Sequence, residues 1–322
     1  MAIYTKLSEN NLKEFFLKYN LGKLLNYKGI QEGIENTNYF IQTDKGKFIL
    51  TVYEKRVEEK DLPFFMGLMK NLFDANFPSP EPIINKNGNY VTEISGKKAA
   101  VVSFLDGSAK KNLNPNDCHK VGVQAAKLHL ITKNLIVKRE NKLSVNSWRK
   151  IYKKVQKDCS RIHLNLAKTI EKNLDEIENN WPKNIPSGII HADLFPDNIF
   201  FKNDKLTGII DFYFSCYDFY VFEIAICLNA LCFEGQKENL SFNVTKAKKF
   251  IDGYSSIKKL TEEEKKSLKI LCQGAAMRFL LTRVFDYLNL TEGALVKIKD
   301  PIEYLKRLEF HNSVKDYQDY FF

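Results

Sequence analysis

The chain has 322 residues, 44% hydrophobic and 27% charged, with a formal net charge of +10. That balance supplies a core and excludes a disordered chain, and no apolar run is long enough to span a bilayer as a helix. The lysines are scattered (Lys133, Lys150, Lys153, Lys246, Lys248) with no block of five or six like charges, so the excess reads as solvated helix faces and not as a nucleic-acid or membrane surface.

Residues 8–19 read as an amphipathic helix capped by Ser8, with Leu12, Phe15, Phe16 and Tyr19 on one face. LLNYKGI, TNYFIQT and KFILTVY read as strands, the last two joined by Asp44, Lys45 and Gly46 into a hairpin. Residues 58–75 return to helical spacing until Pro78, Pro80 and Pro82, and NYVTEI and KAAVVSFL are two further strands. Past Leu105 the polar DGSAKKNLNPND reads as a linker. This predicts an N-terminal lobe over 1–105 and a C-terminal lobe over 106–322, the latter with helices near 116–132, 145–180, 218–233, 244–254, 261–290 and 301–310. Six cysteines without a C-x-x-C pair read as reduced, buried thiols. The first residues, MAIYTKLSENN, lack a signal-peptide pattern, so the expected location is the cytoplasm.

The exception in the helical half is 187–212. Ile189 and Ile190 end a buried strand, HADLFPDN is a loop leaving it, and Ile199, Phe200 and Phe201 re-enter the core. Asn203 and Asp204 turn the chain into a second strand, which ends at Asp211. Such a hairpin carries Asn198 and Asp211 at its loop-side ends, with Asp193 on the loop beside them. Amide and carboxylate oxygens suit a hard cation such as Mg²⁺, completed by phosphate oxygens and water. Asp193 is then left to accept a proton from a hydroxyl nucleophile, which is the division of labour of phosphoryl transfer. An isolated D-x-x-x-x-N occurs by chance; the joint pattern of strand, H-x-D-x-x-x-x-N, strand, turn, strand and D-F is the specific signal.

H-x-D-x-x-x-x-N followed thirteen residues later by D-F resembles the catalytic loop and metal motif of the protein-kinase-like fold. HADLFPDN with IIDF resembles its aminoglycoside phosphotransferase-like branch. GIENTNYF, FILTVYEKR followed by DLPFF, IDFYFSCYD and AAMRFLLTRVFDYL are similar to the bacterial homoserine kinases of that branch, over almost the whole chain. The resemblance implies an α+β, bilobal protein-kinase-like fold, with a small N-terminal antiparallel sheet lobe and a larger, mainly helical C-terminal lobe. It implies ATP and Mg²⁺ as cofactors and L-homoserine as the small-molecule substrate, with no nucleic-acid or membrane partner. It makes Asp193 the catalytic base and Asn198 and Asp211 the metal ligands. His191, Asp218 and Glu223 take supporting roles.

By the same resemblance, GIQEGIENTNYF covers the triphosphate, with Gly33, Asn36, Thr37 and Asn38 letting backbone N–H groups approach phosphate oxygens. Ser103 and Leu105 lie at the hinge that bonds the adenine edge. The family pattern has a lysine or arginine in the third strand where this chain has Thr51; Lys47, Lys55 and Arg56 are near in sequence, and spacing does not choose among them. Glu58, Glu59 and Asp61 are equally open as a partner for that charge. At the acceptor end, Tyr213 follows the metal motif. Arg278 and Arg283, set in an apolar helix, either grip a substrate carboxylate bidentately, pair with Asp286 or Glu223, or lie at the surface. The runner-up is a kinase of this fold acting on choline, an aminoglycoside or another small alcohol. A nucleotide-binding pseudokinase is a different class, for which Thr51 speaks and against which Asp193, Asn198 and Asp211 speak.

Overall fold

The computed structural model describes residues 4–31, 36–54, 57–235, 239–289 and 299–321. They form two compact units: residues up to 108 together with 207–213, and the remainder.

The first unit begins with α1 (Glu9–Phe16). Ser8 Oγ accepts from Asn11 N at 3.2 Å and Asn11 Oδ1 from Ser8 N at 3.1 Å, a capping box that satisfies two helix-end donors. The strands β1 (Leu24–Ile30), β2 (Thr37–Thr43), β3 (Gly46–Val52), β4 (Pro82–Ile83), β5 (Val91–Ile94) and β6 (Lys97–Ser103) form one antiparallel sheet, ordered β1-β2-β3-β6-β4 with β5 also on β6. Strand alternation separates two faces. Tyr39, Ile41, Phe48, Leu50, Val52, Ala99 and Val101 bury against Leu12, Phe15 and Phe16 of α1. Full burial of each large aliphatic or aromatic side chain stabilises by about 1.5–3 kcal/mol. Asn38, Ile49 and Thr51 point to the opposite face, with Asn38 paired to Thr51 and Thr51 to Ala100. A one-residue slip would exchange the faces, so this burial pattern also sets which side chains line the second face. The helix α2 (Leu62–Asp74) follows a single 3₁₀ turn, Glu59–Asp61.

The segment 207–213 groups with this unit. The reason is specific bonding: Ile209 N–H donates to Pro78 O at 2.7 Å and Thr207 Oγ1 to Asp106 O at 2.6 Å. Tyr213 meets the rings of Tyr53 and Phe65 edge-on, with centroids 5.3 and 5.5 Å away.

After β7 (Ser108–Ala109), the second unit is built from α3 (Pro115–Ile131), α4 (Val145–Val155), α5 (Leu166–Asn180), β8 (Ser187–Ile190) and β9 (Ile199–Lys202). The strand β10 (Lys205–Ile209) leads out of it; β11 (Cys216–Phe219), α6 (Tyr220–Leu231), β12 (Phe233–Glu234), β13 (Ser241–Phe242), α7 (Val244–Ser255), α8 (Glu262–Leu288) and α9 (Ile302–Ser313) complete it. The helix expected over 145–180 is two helices separated by a 3₁₀ segment, Gln156–Arg161. The one expected from 218 starts at Tyr220, after a strand. α3 and α7 cross where each has a glycine: a Cβ on Gly122 would lie 2.1 Å from Phe250 O, and one on Gly253 2.1 Å from His119 O. No larger residue fits that approach. All six cysteines are buried and unpaired. No described helix is long and apolar enough to cross a membrane.

Candidate active site

β8 pairs antiparallel with β11, Ile190 opposite Cys216, and the loop 191–198 leaves from its buried end. Ala192 there has φ +65°, a left-handed conformation that a Cβ disfavours by roughly 1–2 kcal/mol. Both of its peptide polar groups are held. Its N–H donates to Glu223 at 3.1 Å (Oε1) and 3.2 Å (Oε2), the N–H of His191 donates to the same carboxylate, and Arg278 Nη1 donates to Ala192 O at 2.8 Å. Glu223 is fully buried and Arg278 is 2% exposed. Hydrogen bonds to charged groups are worth about 1.5–3 kcal/mol each, enough to offset the strain.

The next residues inherit that placement. Asp193 N–H donates to His191 Nδ1 at 3.2 Å, so the imidazole is neutral with its proton on Nε2. Asn198 Nδ2 donates to Asp193 O at 2.9 Å and to Asp193 Oδ2 at 3.1 Å. Only the amino end of the amide can donate, so this orients Asn198 and turns Oδ1 away from Asp193. Leu194 is fully buried, and Phe195 meets Phe279 of α8 edge-on at 5.0 Å. Asp197 pairs with Lys299 at 3.7 Å. Asp218 accepts from Asn141 Nδ2 at 2.6 Å and from Phe219 N at 2.7 Å. The loop therefore hangs from β8 and is braced by α6 and α8.

Burial pushes the Glu223 carboxyl from its ordinary 4.5 up to about 7, against the pull of the Ala192 and His191 N–H groups and of Arg278. Between those values the folded chain holds a proton that the unfolded chain has released. This group's contribution is thus fully present below about pH 4.5 and lost as the pH rises through about 7, a swing of roughly 3 kcal/mol. Glu223→Gln is expected to flatten stability against pH between about 5 and 7, as read by urea unfolding. It offers one acceptor oxygen to two donors, so kcat should fall about tenfold, the value of one charge-assisted hydrogen bond. A variant whose pH profile stays parallel to that of the parent would remove the linkage.

The acceptor-end expectations meet other partners. Arg283 Nη1 donates to Glu303 Oε2 at 2.8 Å and to Asp300 O at 2.9 Å, and its guanidinium lies 4.4 Å from the Tyr304 ring centre. Arg278 holds the Ala192 carbonyl, as above. The Tyr213 hydroxyl lies 3.1 Å from that of Tyr53, within the sheet unit.

In the first unit, Asn36 Oδ1 accepts from Glu54 N at 3.2 Å. Thr37 Oγ1 accepts from Tyr4 N at 2.9 Å and donates to Glu54 Oε1 at 2.8 Å, so its side chain serves the α1 face. Glu54 also pairs with Lys97 on that face. Asn38 lies on the other face with Thr51. Gly33, Lys55 and Arg56 lie outside the described residues. Lys47 shares the face of Thr51 but is four residues along the strand, about 13 Å away. Glu58 pairs with Lys60 at 3.0 Å and Glu59 approaches Lys98 at 3.9 Å. At the hinge, Ser103 N–H donates to Glu81 O at 2.8 Å and Phe104 N–H to Lys47 O at 3.2 Å. Among the described residues, no group accepts from Leu105 N–H. Asp211 is exposed and has φ +66°. No three His, Cys, Asp or Glu side chains gather among the described residues as a metal site. Asn141, Tyr53 and the strand β11 escaped sequence reading; none carries a local pattern that separates it from ordinary loop or core.

Residues 26–256 match the model of the phosphotransferase enzyme family. A homoserine kinase of Nitrobacter hamburgensis is 45% identical over 320 residues, covering 99% of this chain and 97% of that one. One of Beijerinckia indica is 46% identical over 314 residues, covering 98% and 97%. Among solved structures, an amicoumacin kinase bound to AMP-PNP and Ca²⁺ superposes with a TM-score of 0.70 at 15% identity, covering 97% of this chain and 95% of its own. A spectinomycin phosphotransferase does so at 0.64 and 13%, covering 98% of each chain. These likenesses establish the protein-kinase-like fold expected from the motifs. With a clamped H-x-D-x-x-x-x-N loop, a family match across most of its length and homoserine kinases as full-length relatives, the chain belongs to the phosphotransferase enzyme family.

Proposed function

We propose that this chain transfers the γ-phosphoryl group of ATP to the side-chain hydroxyl of L-homoserine, giving ADP and O-phospho-L-homoserine, a step toward threonine. The observation that carries the reading is full-length identity of 45% to homoserine kinases in a chain whose Asp193 loop is held on both sides of its strained residue. Asp193 orients the acceptor hydroxyl and takes its proton as the oxygen–phosphorus bond forms and the bond to ADP breaks. His191, neutral and buried, holds the Asp193 peptide.

Asn198 and Asp211 are the oxygen donors we assign to a divalent ion. Hard amide and carboxylate oxygens fit Mg²⁺, and Asn198 has its amino end committed to Asp193, leaving the oxygen end for a ligand. When bound, the ion supplies positive charge against the phosphate oxygens. Leu105 N–H is the hinge donor we assign to the adenine edge. The test is an acceptor panel of homoserine, choline and an aminoglycoside with ATP and Mg²⁺, products read by mass. Phosphorylated homoserine is expected; product from another alcohol with none from homoserine would overturn the substrate.

A further inference from the structure

Thr51 stands on β3 where protein kinases of this general fold present a lysine to the nucleotide phosphates. The Lys97–Glu54 ion pair cannot stand in for it, because both residues lie on the α1 face of the sheet and Thr51 on the other. Immediately around Thr51 that face carries neutral groups instead. Thr51 Oγ1 lies 2.8 Å from Asn38 Oδ1, directly across the β2–β3 pair. An amide oxygen only accepts, so the threonine hydroxyl donates and its one proton is committed. In the same unit, the Tyr213 hydroxyl sits 3.1 Å from that of Tyr53.

The consequence falls on Asn38. With Oδ1 held by Thr51, the amide cannot turn over, and Nδ2 is its outward donor; among the described residues nothing accepts from it. We infer that Asn38 Nδ2 is the phosphate-contacting donor in the place of the third-strand lysine, with Thr51 as the positioning residue that fixes its amide. This rests on ATP as the phosphoryl donor. The ligand chemistry is an oxyanion of a nucleoside di- or triphosphate, met by a neutral hydrogen bond and not by an ion pair.

Calorimetric titration of the full chain with Mg²⁺ and ADP, and separately with adenosine, tests it without any acceptor. Asn38→Asp keeps the oxygen that Thr51 bonds and replaces the donor by a second carboxylate oxygen. ADP affinity should fall by about tenfold or more, and adenosine affinity should stay within about twofold. Thr51→Val should weaken ADP several-fold, and Thr51→Ser, which keeps the hydroxyl, should restore it. Equal losses for ADP and adenosine, or unchanged ADP binding in Asn38→Asp, would overturn the inference alone. A parent chain that binds no ADP would overturn the ATP reading with it.

Discussion

Asp193→Asn should lower kcat by at least ~10²-fold and leave the fold intact. The asparagine keeps a carbonyl oxygen where Asn198 Nδ2 donates at 3.1 Å, and the Asn198 bond to the backbone carbonyl of residue 193 at 2.9 Å does not depend on the side chain. The clamp on Ala192 by Glu223 and Arg278 lies upstream of the change. What disappears is the ability to take a proton. Phosphoryl transfer asks little covalent chemistry of the protein, and much of the acceleration comes from position and charge, so the loss should sit nearer ~10² than ~10⁴. Steady-state kinetics gives the effect, and thermal unfolding checks that the parent's stability is kept. A variant with full kcat would remove Asp193 as the base. A variant with a lowered melting point and a raised KM for ATP would mean that the carboxylate holds the loop.

Much of the sheet unit was legible because its signals are local. The spans read for β1 and β2 coincide with the observed Leu24–Ile30 and Thr37–Thr43, and that read for β3 is displaced by one residue, since two-residue alternation and the Asp44 to Gly46 turn mark them directly. The loop 191–198 was legible because its spacing is short and flanked by apolar runs. What escaped depends on partners far along the chain. Arg278 and Arg283 read as isolated charges in an apolar helix, and nothing nearby announces that one answers the carbonyl of Ala192 and the other Glu303. The segment 207–213 joins the first unit through a backbone bond to Pro78, which no side-chain pattern reports. The break within 145–180 was masked by a stripe that continues through it, with Val155, Cys159 and Leu166 all buried; a 3₁₀ segment closes on Cys159 O, accepting from Ile162 N and His163 N. The strand β11 is four residues long and runs straight into α6, so its aromatic residues read as the start of the helix.

Asp211→Asn separates two readings of the second motif residue, and the backbone makes the separation clean. At φ +66° a residue with an ordinary side chain is strained, whereas asparagine adopts that conformation at least as readily as aspartate. If Asp211 only shapes the turn, the asparagine variant should be silent and Asp211→Ala should be the damaging change. If it holds the divalent ion, Asp211→Asn loses a full negative charge at unchanged backbone geometry. Charge stabilisation by a bound metal is worth several kcal/mol, so kcat should then fall by ~10²-fold or more, and the Mg²⁺ concentration for half-maximal rate should rise. The neighbouring Tyr213 should be undisturbed, because its contacts with Tyr53 and Phe65 are made by its ring and hydroxyl. Kinetics against Mg²⁺ concentration reads the difference. A parent-like Mg²⁺ dependence in Asp211→Asn, together with a crippled Asp211→Ala, would assign the residue to the turn and leave the ion to other oxygens.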